Sequence, residues 1–339
     1  MKILICQLRT HGDIIRTFPL IKSLKKTFPD AWIGATCFED MKSTYFLCKD
    51  YLDEVIVQPI LYLPINHFEY TRLINCEPLS HAVEKTREFS IDVYIDLHGV
   101  FQSALFGMLS NIPIICGRSY HTTKDGAHLF YNRIADIESV KINRMFRHFL
   151  IARSIFPQLE PIKDEKFNIP DNGFVAFVPG SSKKGILKRW PITYYADLIN
   201  IISKDERIKV ILGPEEEDLY YEILNLLQCQ VDLSKIDLFS YYPKIFQDCK
   251  CVVGNDSAPL HISTWLNVPT FMILGPTSPA INSPWEYSIG ISTNYDTICN
   301  GCDIWNQRCL NNHKCMNKLS VNSVYMALKK FLEKVDELQ

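Results

Sequence analysis

Nine short runs rich in Ile, Val and Phe recur along this chain, and most are apolar without alternation. They are KILICQL (2–8), AWIGATCF (31–38), EVIVQP (54–59), DVYIDLHG (92–99) and IPIICGRS (112–119), then GFVAFVPG (173–180), IKVILGPE (208–215), CKCVVGND (249–256) and PTFMILGP (269–276). A strand with one wet face alternates apolar and polar residues. A near-continuous apolar run suits a parallel strand covered by helices on both faces. The intervening stretches carry helical spacing. Ile14, Phe18, Ile21, Leu24 and Phe28 line one face of a helix expected over 14–28. Further helices are expected near 192–204, 215–227, 257–266 and 321–337. The last aligns Val324, Leu328, Phe331 and Val335. The pattern is α/β, with doubly wound parallel sheets.

The alternation pauses once. Residues 157–172, PQLEPIKDEKFNIPDN, hold three prolines and several charges and read as a linker. The 339 residues thus divide into Rossmann-like domains over 1–160 and 172–339. Hydrophobic residues make up 47% and charged residues 22%, enough for two sizeable cores. A net charge of −2 argues against a nucleic-acid partner recruited by charge. No apolar run approaches the roughly 20 residues that span a bilayer. The opening MKILICQL is too short for a signal-peptide core, so a cytoplasmic protein is expected. Cys6, Cys37, Cys116 and Cys251 sit singly in apolar runs and read as reduced core thiols.

In such sheets ligands bind outside the carboxyl ends of the strands. The turns there are RTHGD, LHG, PGSSKKG, GPEEE, GNDSAP and GPTSP, and five of the six combine glycine with polar residues. In HGD, Gly12 permits a tight turn, and Asp13 either caps the helix starting at Ile14 or acts as a general base. In VPGSSKKGILKRWP (178–191), Gly180, Ser181, Ser182, Lys183, Lys184, Lys188 and Arg189 precede a helix begun by Pro191. That is either a solvated basic loop or a phosphate site made of backbone N–H groups and cations. In VVGNDSAPLHIS (252–263), Asp256 and Ser257 stand at a strand-to-helix turn that either caps the helix or holds a diphosphate. His261, one turn on, is a core histidine on its own evidence. The glutamates of LGPEEED open a helix, or one of them binds ribose hydroxyls. Cys299, Cys302, Cys309 and Cys315 follow C-x2-C-x6-C-x5-C, which admits a structural zinc or iron, a disulfide, or unligated thiols. D-x-D, G-x-G-x-x-G after the first strand and G-x-S-x-G are all absent.

Taken in order, KILICQLRTHGDIIRTFPLIKSLKKTFP, VYIDLHGVFQSALF, TTKDGAHLFYNR, PGSSKKGILKRWP, GPEEE, GNDSAPLHIS, ILGPTSP and CMNKLSVNSV resemble glycosyltransferase family 9, the ADP-heptose:lipopolysaccharide heptosyltransferases. The resemblance implies a GT-B fold, with an N-terminal acceptor domain and a C-terminal nucleotide-sugar domain facing across a cleft. The last helix then packs on its own domain or back toward the first. It implies an inverting, metal-independent transfer of heptose from ADP-heptose to the inner core of lipopolysaccharide at the inner membrane. By position, Asp13 and Lys188 match the catalytic pair. Gly12, Ser181, Ser182, Glu215, Asp256, Ser257, Ala258 and His261 match donor contacts, and Lys124 and Arg9 fall on the acceptor side. Many members carry Arg and Ser where this chain has Gln7 and Arg9. The cysteine quartet recurs in some members, and a related protein-modifying group holds iron with cysteines. The alternatives are therefore such a protein-modifying enzyme or a non-catalytic sugar-nucleotide binder.

Overall fold

The computed structural model describes residues 1–61, 76–139, 141–162, 167, 169–213, 216–236, 239–283, 290–293 and 308–338. The chain forms two compact units, Met1–Ile162 and Lys163–Gln339.

The first unit is built on β1 (Lys2–Cys6), β2 (Trp32–Phe38), β3 (Glu54–Gln58), β4 (Val93–Asp96), β5 (Ile114–Arg118) and β6 (Arg133–Ala135). They lie in the order β3-β2-β1-β4-β5-β6, every pair parallel. Helices α1 (His11–Ile15), α2 (Phe18–Thr27), α3 (Glu77–Glu88), α4 (Phe101–Leu109) and α5 (Arg144–Arg153) cover it. β1 is central. Its Ile3, Leu4, Ile5 and Cys6 are fully buried, as a strand with helices on both faces requires. The helix expected over 14–28 is two helices. Pro19 has no N–H to bond the carbonyl of Ile15, so the ladder ends there and restarts.

The second unit repeats the plan. β7 (Phe174–Val178), β8 (Ile208–Leu212), β9 (Asp232–Lys235), β10 (Cys249–Asn255), β11 (Thr270–Ile273) and β12 (Gly290–Thr293) take the order β12-β11-β10-β7-β8-β9, again all parallel. Counted from its own first strand, each sheet reads 3-2-1-4-5-6. Its helices are α6 (Ile192–Ile202), α7 (Glu217–Leu226), α8 (Tyr242–Phe246), α9 (Ala258–Trp265), α10 (Pro279–Asn282), α11 (Lys314–Asn317) and α12 (Val321–Asp336).

The sequence pattern misses β6, β9 and β12. All three lie at sheet edges or are short, and a strand packed along one side needs no continuous apolar run. The last helix, placed on either domain by resemblance, fills its apolar face within the second unit. Val324, Leu328, Phe331 and Val335 are fully buried in that unit's core, and Phe331 meets Phe271 at 5.7 Å. Cys6, Cys37, Cys116 and Cys251 are buried in strands, and burial pushes the Cys37 and Cys116 thiols up to about 12, so they stay protonated. Among the described residues no helix is long and apolar enough to cross a membrane.

Truncating a fully buried aromatic leaves a cavity that its neighbours fill only in part. Phe331→Ala should cost about 3–5 kcal/mol. Urea denaturation followed by tryptophan fluorescence should show the lowered midpoint, because Trp190 belongs to the same core.

Candidate functional site

Each sheet ends in a cluster of polar side chains at its carboxyl edge. In the first unit β1 leads into Thr10, whose φ of 66° and ψ of 120° are unusual for a β-branched residue. The sharp turn expected at Gly12 is made here instead. Gly12 lies inside α1, where its carbonyl accepts from Arg16 N–H at 3.2 Å. The Thr10 carbonyl receives the N–H groups of Asp13 and Ile14, both at 3.1 Å. Asp13 therefore sits in the first turn of α1, and the capping role drops out. Its carboxylate engages side chains: Thr10 Oγ1 donates to Oδ2 at 2.7 Å, while Arg16 Nη1 at 2.8 Å and Arg144 Nη1 at 2.5 Å both donate to Oδ1. The Asp13 side chain is 22% exposed. Burial alone would raise its pKa. Arg144, Arg16 and the Thr10 hydroxyl outweigh burial and hold the carboxyl well below the usual carboxylate range.

Around this pair the first unit gathers more cations. Arg144, Arg147 and His148 lie at i, i+3 and i+4 on α5 and so share a face. His148 Nδ1 donates to the Arg16 carbonyl at 3.1 Å, and burial with Arg147 nearby lowers its pKa to about 3, so it is neutral. Arg118, at the end of β5, is buried and donates to the carbonyl of His98 at 2.5 Å. Gly99, with φ of 69°, makes room for it: a Cβ there would meet Arg118 Nη2 at 2.1 Å. The turn after β4 is pinned by buried Asp96. His98 N–H and Gly99 N–H donate to its Oδ1 at 3.0 and 2.9 Å, and Ser103 Oγ and Tyr131 OH to its Oδ2 at 2.6 and 2.7 Å. Gln7 is buried with Nε2 2.9 Å from His98 Nδ1. Arg9 and Lys124 are exposed, and both depress the His98 pKa, to about 3, after burial has done most of the work.

In the second unit the loop after β7 converges with the loop after β10. Lys188 Nζ reaches Asp256 Oδ2 at 3.1 Å and the Asp256 carbonyl at 3.3 Å. His261 Nε2 lies 3.1 Å from Asp256 Oδ1. The sequence-selected Lys188, Asp256 and His261 thus form one chain of contacts, with Asp256 between two basic groups. Ser257 is the N-cap of α9, Ala258 its first residue, and the buried Ser257 Oγ has no hydrogen-bond partner among the described residues. Ser181 Oγ accepts from Arg189 Nε at 3.0 Å, and Arg189 also donates to the Ser181 carbonyl. Ser182 occupies the N-cap position of the 3-10 turn over Lys183–Lys188 without a side-chain capping bond.

Asn255 was not selected from sequence, yet it ties these loops together. Its Oδ1 accepts from Trp190 N–H and Tyr195 OH, both at 2.9 Å, and its Nδ2 donates to the Pro179 carbonyl at 2.7 Å. Glu215 lies outside the described residues. Its neighbour Glu216 is buried, accepts from Gly213 N–H at 2.7 Å, and stands where a Cβ on Gly180 would meet its carboxylate at 1.9 Å. Gly180 is therefore needed by this glutamate.

The cysteine quartet is only partly visible. Cys299 and Cys302 lie outside the described residues. Cys315 is buried in the second core, and Cys309 Sγ accepts from His313 N–H at 3.1 Å. Among the described residues no group of three His, Cys, Asp or Glu could hold a metal, so the structural zinc or iron finds no support there. The segment braces the basic loop instead: His313 Nε2 donates to the Leu187 carbonyl at 2.6 Å, and Trp190 Nε1 to that of Leu319 at 2.8 Å.

A family model for glycosyltransferase family 9 (heptosyltransferase) matches residues 80–318, which hold the second cluster and Asp96, Arg118, Arg144 and Arg147 of the first. The chain belongs to glycosyltransferase family 9. Asp13 precedes the matched segment. The chain is 31% identical over 158 residues to lipooligosaccharide heptosyltransferase 2 of Campylobacter jejuni, covering 45% of this chain and 49% of that protein. The chain thus spans about half the length of that relative. It is 24% identical over 337 residues to lipopolysaccharide heptosyltransferase 2 of Escherichia coli, covering 89% of this chain and 91% of the other. The solved structure of E. coli ADP-heptose lps heptosyltransferase II covers 99% of this chain and 100% of its own, with a TM-score of 0.74 at 18% identity. Within this family fold, Asn255 is the residue on which the shape of the basic loop rests. Asn255→Ala would leave a buried backbone N–H, a tyrosine hydroxyl and a carbonyl unsatisfied, each worth about 1–3 kcal/mol. Hydrogen–deuterium exchange should show faster exchange at the Trp190 amide, with the β1 amides unchanged.

Proposed function

We propose that the protein transfers a heptose from ADP-heptose to the inner core of lipopolysaccharide, inverting the anomeric centre without a metal ion. The observation that carries this reading is the division of chemistry between the two sheets. One presents a carboxylate held by arginines, Asp13, and the other a lysine set by a carboxylate beside the Ser257 hydroxyl at the start of α9, which has no hydrogen-bond partner among the described residues. Inverting transfer needs those two parts: a base for the acceptor hydroxyl and positive charge for the departing diphosphate.

Asp13 takes the proton from the acceptor hydroxyl as that oxygen attacks the anomeric carbon. Both arginines bind Oδ1, whereas Oδ2 has the neutral Thr10 hydroxyl. An acceptor hydroxyl can take the place of the Thr10 hydroxyl, so Oδ2 is the oxygen assigned to the proton. Lys188, Ser181, Ser182, the Ser257 hydroxyl and the Ala258 N–H meet the diphosphate. Asp256 and His261 act through Lys188 by fixing where its ammonium stands, and Glu215 is assigned to the ribose. Lys124 and Arg9 meet the acidic acceptor sugar. The donor is proposed because the E. coli protein of the same fold is an ADP-heptose lps heptosyltransferase. The acceptor is proposed because the curated relatives are lipopolysaccharide and lipooligosaccharide heptosyltransferases.

Release of ADP from ADP-heptose, measured against truncated lipopolysaccharide acceptors, tests the reading. Asp13→Asn should lower kcat by about 10²–10⁴-fold with ADP affinity kept. Lys188→Ala should weaken ADP binding in calorimetry and lower the rate. Turnover should survive EDTA. Full activity in the Asp13 variant, or ADP affinity untouched in the Lys188 variant, would refute the assigned roles.

A further inference from the structure

Asn255 holds the ends of the loop that carries Lys188, at the Pro179 carbonyl and the Trp190 N–H, and Asp256 holds the ammonium. Neither fixes the backbone between. That hold comes from 126 residues further along the chain, where His313 Nε2 donates to the Leu187 carbonyl at 2.6 Å. Leu187 directly precedes Lys188, so the bond fixes the backbone from which the lysine side chain starts. Packing does not do this. A cavity of about 310 Å³ lies here, lined by Ile186, Arg189 and Trp190 from the loop and by His313 and Asn317 from the C-terminal segment. Ile186 is 42% exposed. Where side chains leave such a space unfilled, polar contacts decide where a loop stands. His313 itself has a firm base. Cys315 and Met316 are buried in the second core, and a Cβ on Gly275 would meet Met316 Sδ at 2.5 Å. The Leu319 carbonyl accepts from Trp190 Nε1 at 2.8 Å. Asn312 and His313 are both left-handed, with φ of 49° and 57°. Residues with side chains rarely adopt that region, and they keep it only where the surroundings hold them.

We propose that His313 is a positioning residue for the transfer: through the Leu187 carbonyl it sets where Lys188 stands, and so how tightly the donor diphosphate is held. The inference rests on Lys188 meeting that diphosphate. The ammonium reaches Asp256 Oδ2 at 3.1 Å and the Asp256 carbonyl at 3.3 Å. Both contacts lie near or beyond the upper end of ordinary N–H···O distances, so a small backbone shift at Leu187 breaks them. The cavity gives the loop room for such a shift, and the imidazole spans the space that packing leaves open. His313 acts through backbone and through Lys188, which is why its effect is read in the lysine's work and not in chemistry of its own.

Calorimetry with ADP on the full chain tests this. His313→Gly deletes the imidazole at a left-handed position where glycine is at ease, so the fold is kept. It should weaken ADP binding about three- to ten-fold, the size of one hydrogen bond. Hydrogen–deuterium exchange should quicken at the Arg189 amide, which donates to the Ile186 carbonyl within the loop. The deleted side chain opens onto the cavity, so free imidazole should restore the affinity of His313→Gly. Neutral N-methylimidazole has no N–H to donate and should not. His313→Gln brings an amide N–H to the reach of Nε2 and should keep part of the affinity. Action through Lys188 also predicts non-additivity: in the Lys188→Ala background, His313→Gly should cost no further affinity. Full ADP affinity in His313→Gly, equal rescue by the two imidazoles, or an undiminished further loss in the Lys188→Ala background would each overturn the proposal. Unmoved ADP affinity in Lys188→Ala alone would instead remove the diphosphate role on which the inference rests, and exchange at Arg189 would still decide whether His313 holds the loop.

Discussion

An all-parallel sheet sends every strand out at the same edge, and this constraint organises both units. Each crossover helix returns the chain to the opposite edge, so the turns that carry chemistry collect at one end. With β1 and β7 at the centre of their sheets, the residues that follow them, Thr10 to Asp13 and Gly180 to Lys188, stand where neighbouring loops can reach them. The central strands are buried on both sides and cannot slip, because a one-residue shift would turn buried apolar side chains into the wrong layer. The loops are therefore fixed at their roots, and short polar contacts are enough to set their tips.

The two clusters solve one electrostatic problem in opposite ways. In the second unit a single carboxylate, Asp256, lies between Lys188 and His261 and is 3% exposed. The lysine is thereby held in place by a carboxylate before anything binds. In the first unit the surplus is positive, and one carboxylate is shared among guanidiniums. Burial first, then the nearby charges of Arg118 and Arg144, lower the Arg147 pKa. Sites that keep such tension are the ones expected to bind something of opposite charge.

Much of this was legible from the residues alone. Unbroken apolar runs gave the central strands, and Gly-polar turns after them located Asp13, Lys188, Asp256 and His261. Three contributions were not legible, each for a physical reason. Edge strands such as β9 have one open side and need no apolar run. Asn255 looks like any strand-end asparagine until Pro179, Trp190 and Tyr195 fold around it, and only tertiary structure brings those together. Arg144 meets Asp13 across 131 residues of sequence, so no local motif links them. A signal did exist in RMFRH (144–148), where two arginines and a histidine share the face of a helix that also buries Met145 and Phe149. Charges on a buried face need partners, and that alone marks α5 as more than packing.

The strained turn at Thr10 completes the logic of the first cluster. A β-branched residue at φ of 66° is held there against its own preference, and among the described residues its hydroxyl is the one neutral side-chain donor to Asp13. Were the turn relaxed, the hydroxyl would leave Oδ2 and the carboxylate could rotate, sharing both oxygens with the guanidiniums in a bidentate pair. Such a pair would be tighter and chemically inert. In the strained turn both arginines meet Oδ1 and the Thr10 hydroxyl meets Oδ2, so the backbone geometry at one residue goes with a division of the carboxylate between cations and a neutral donor.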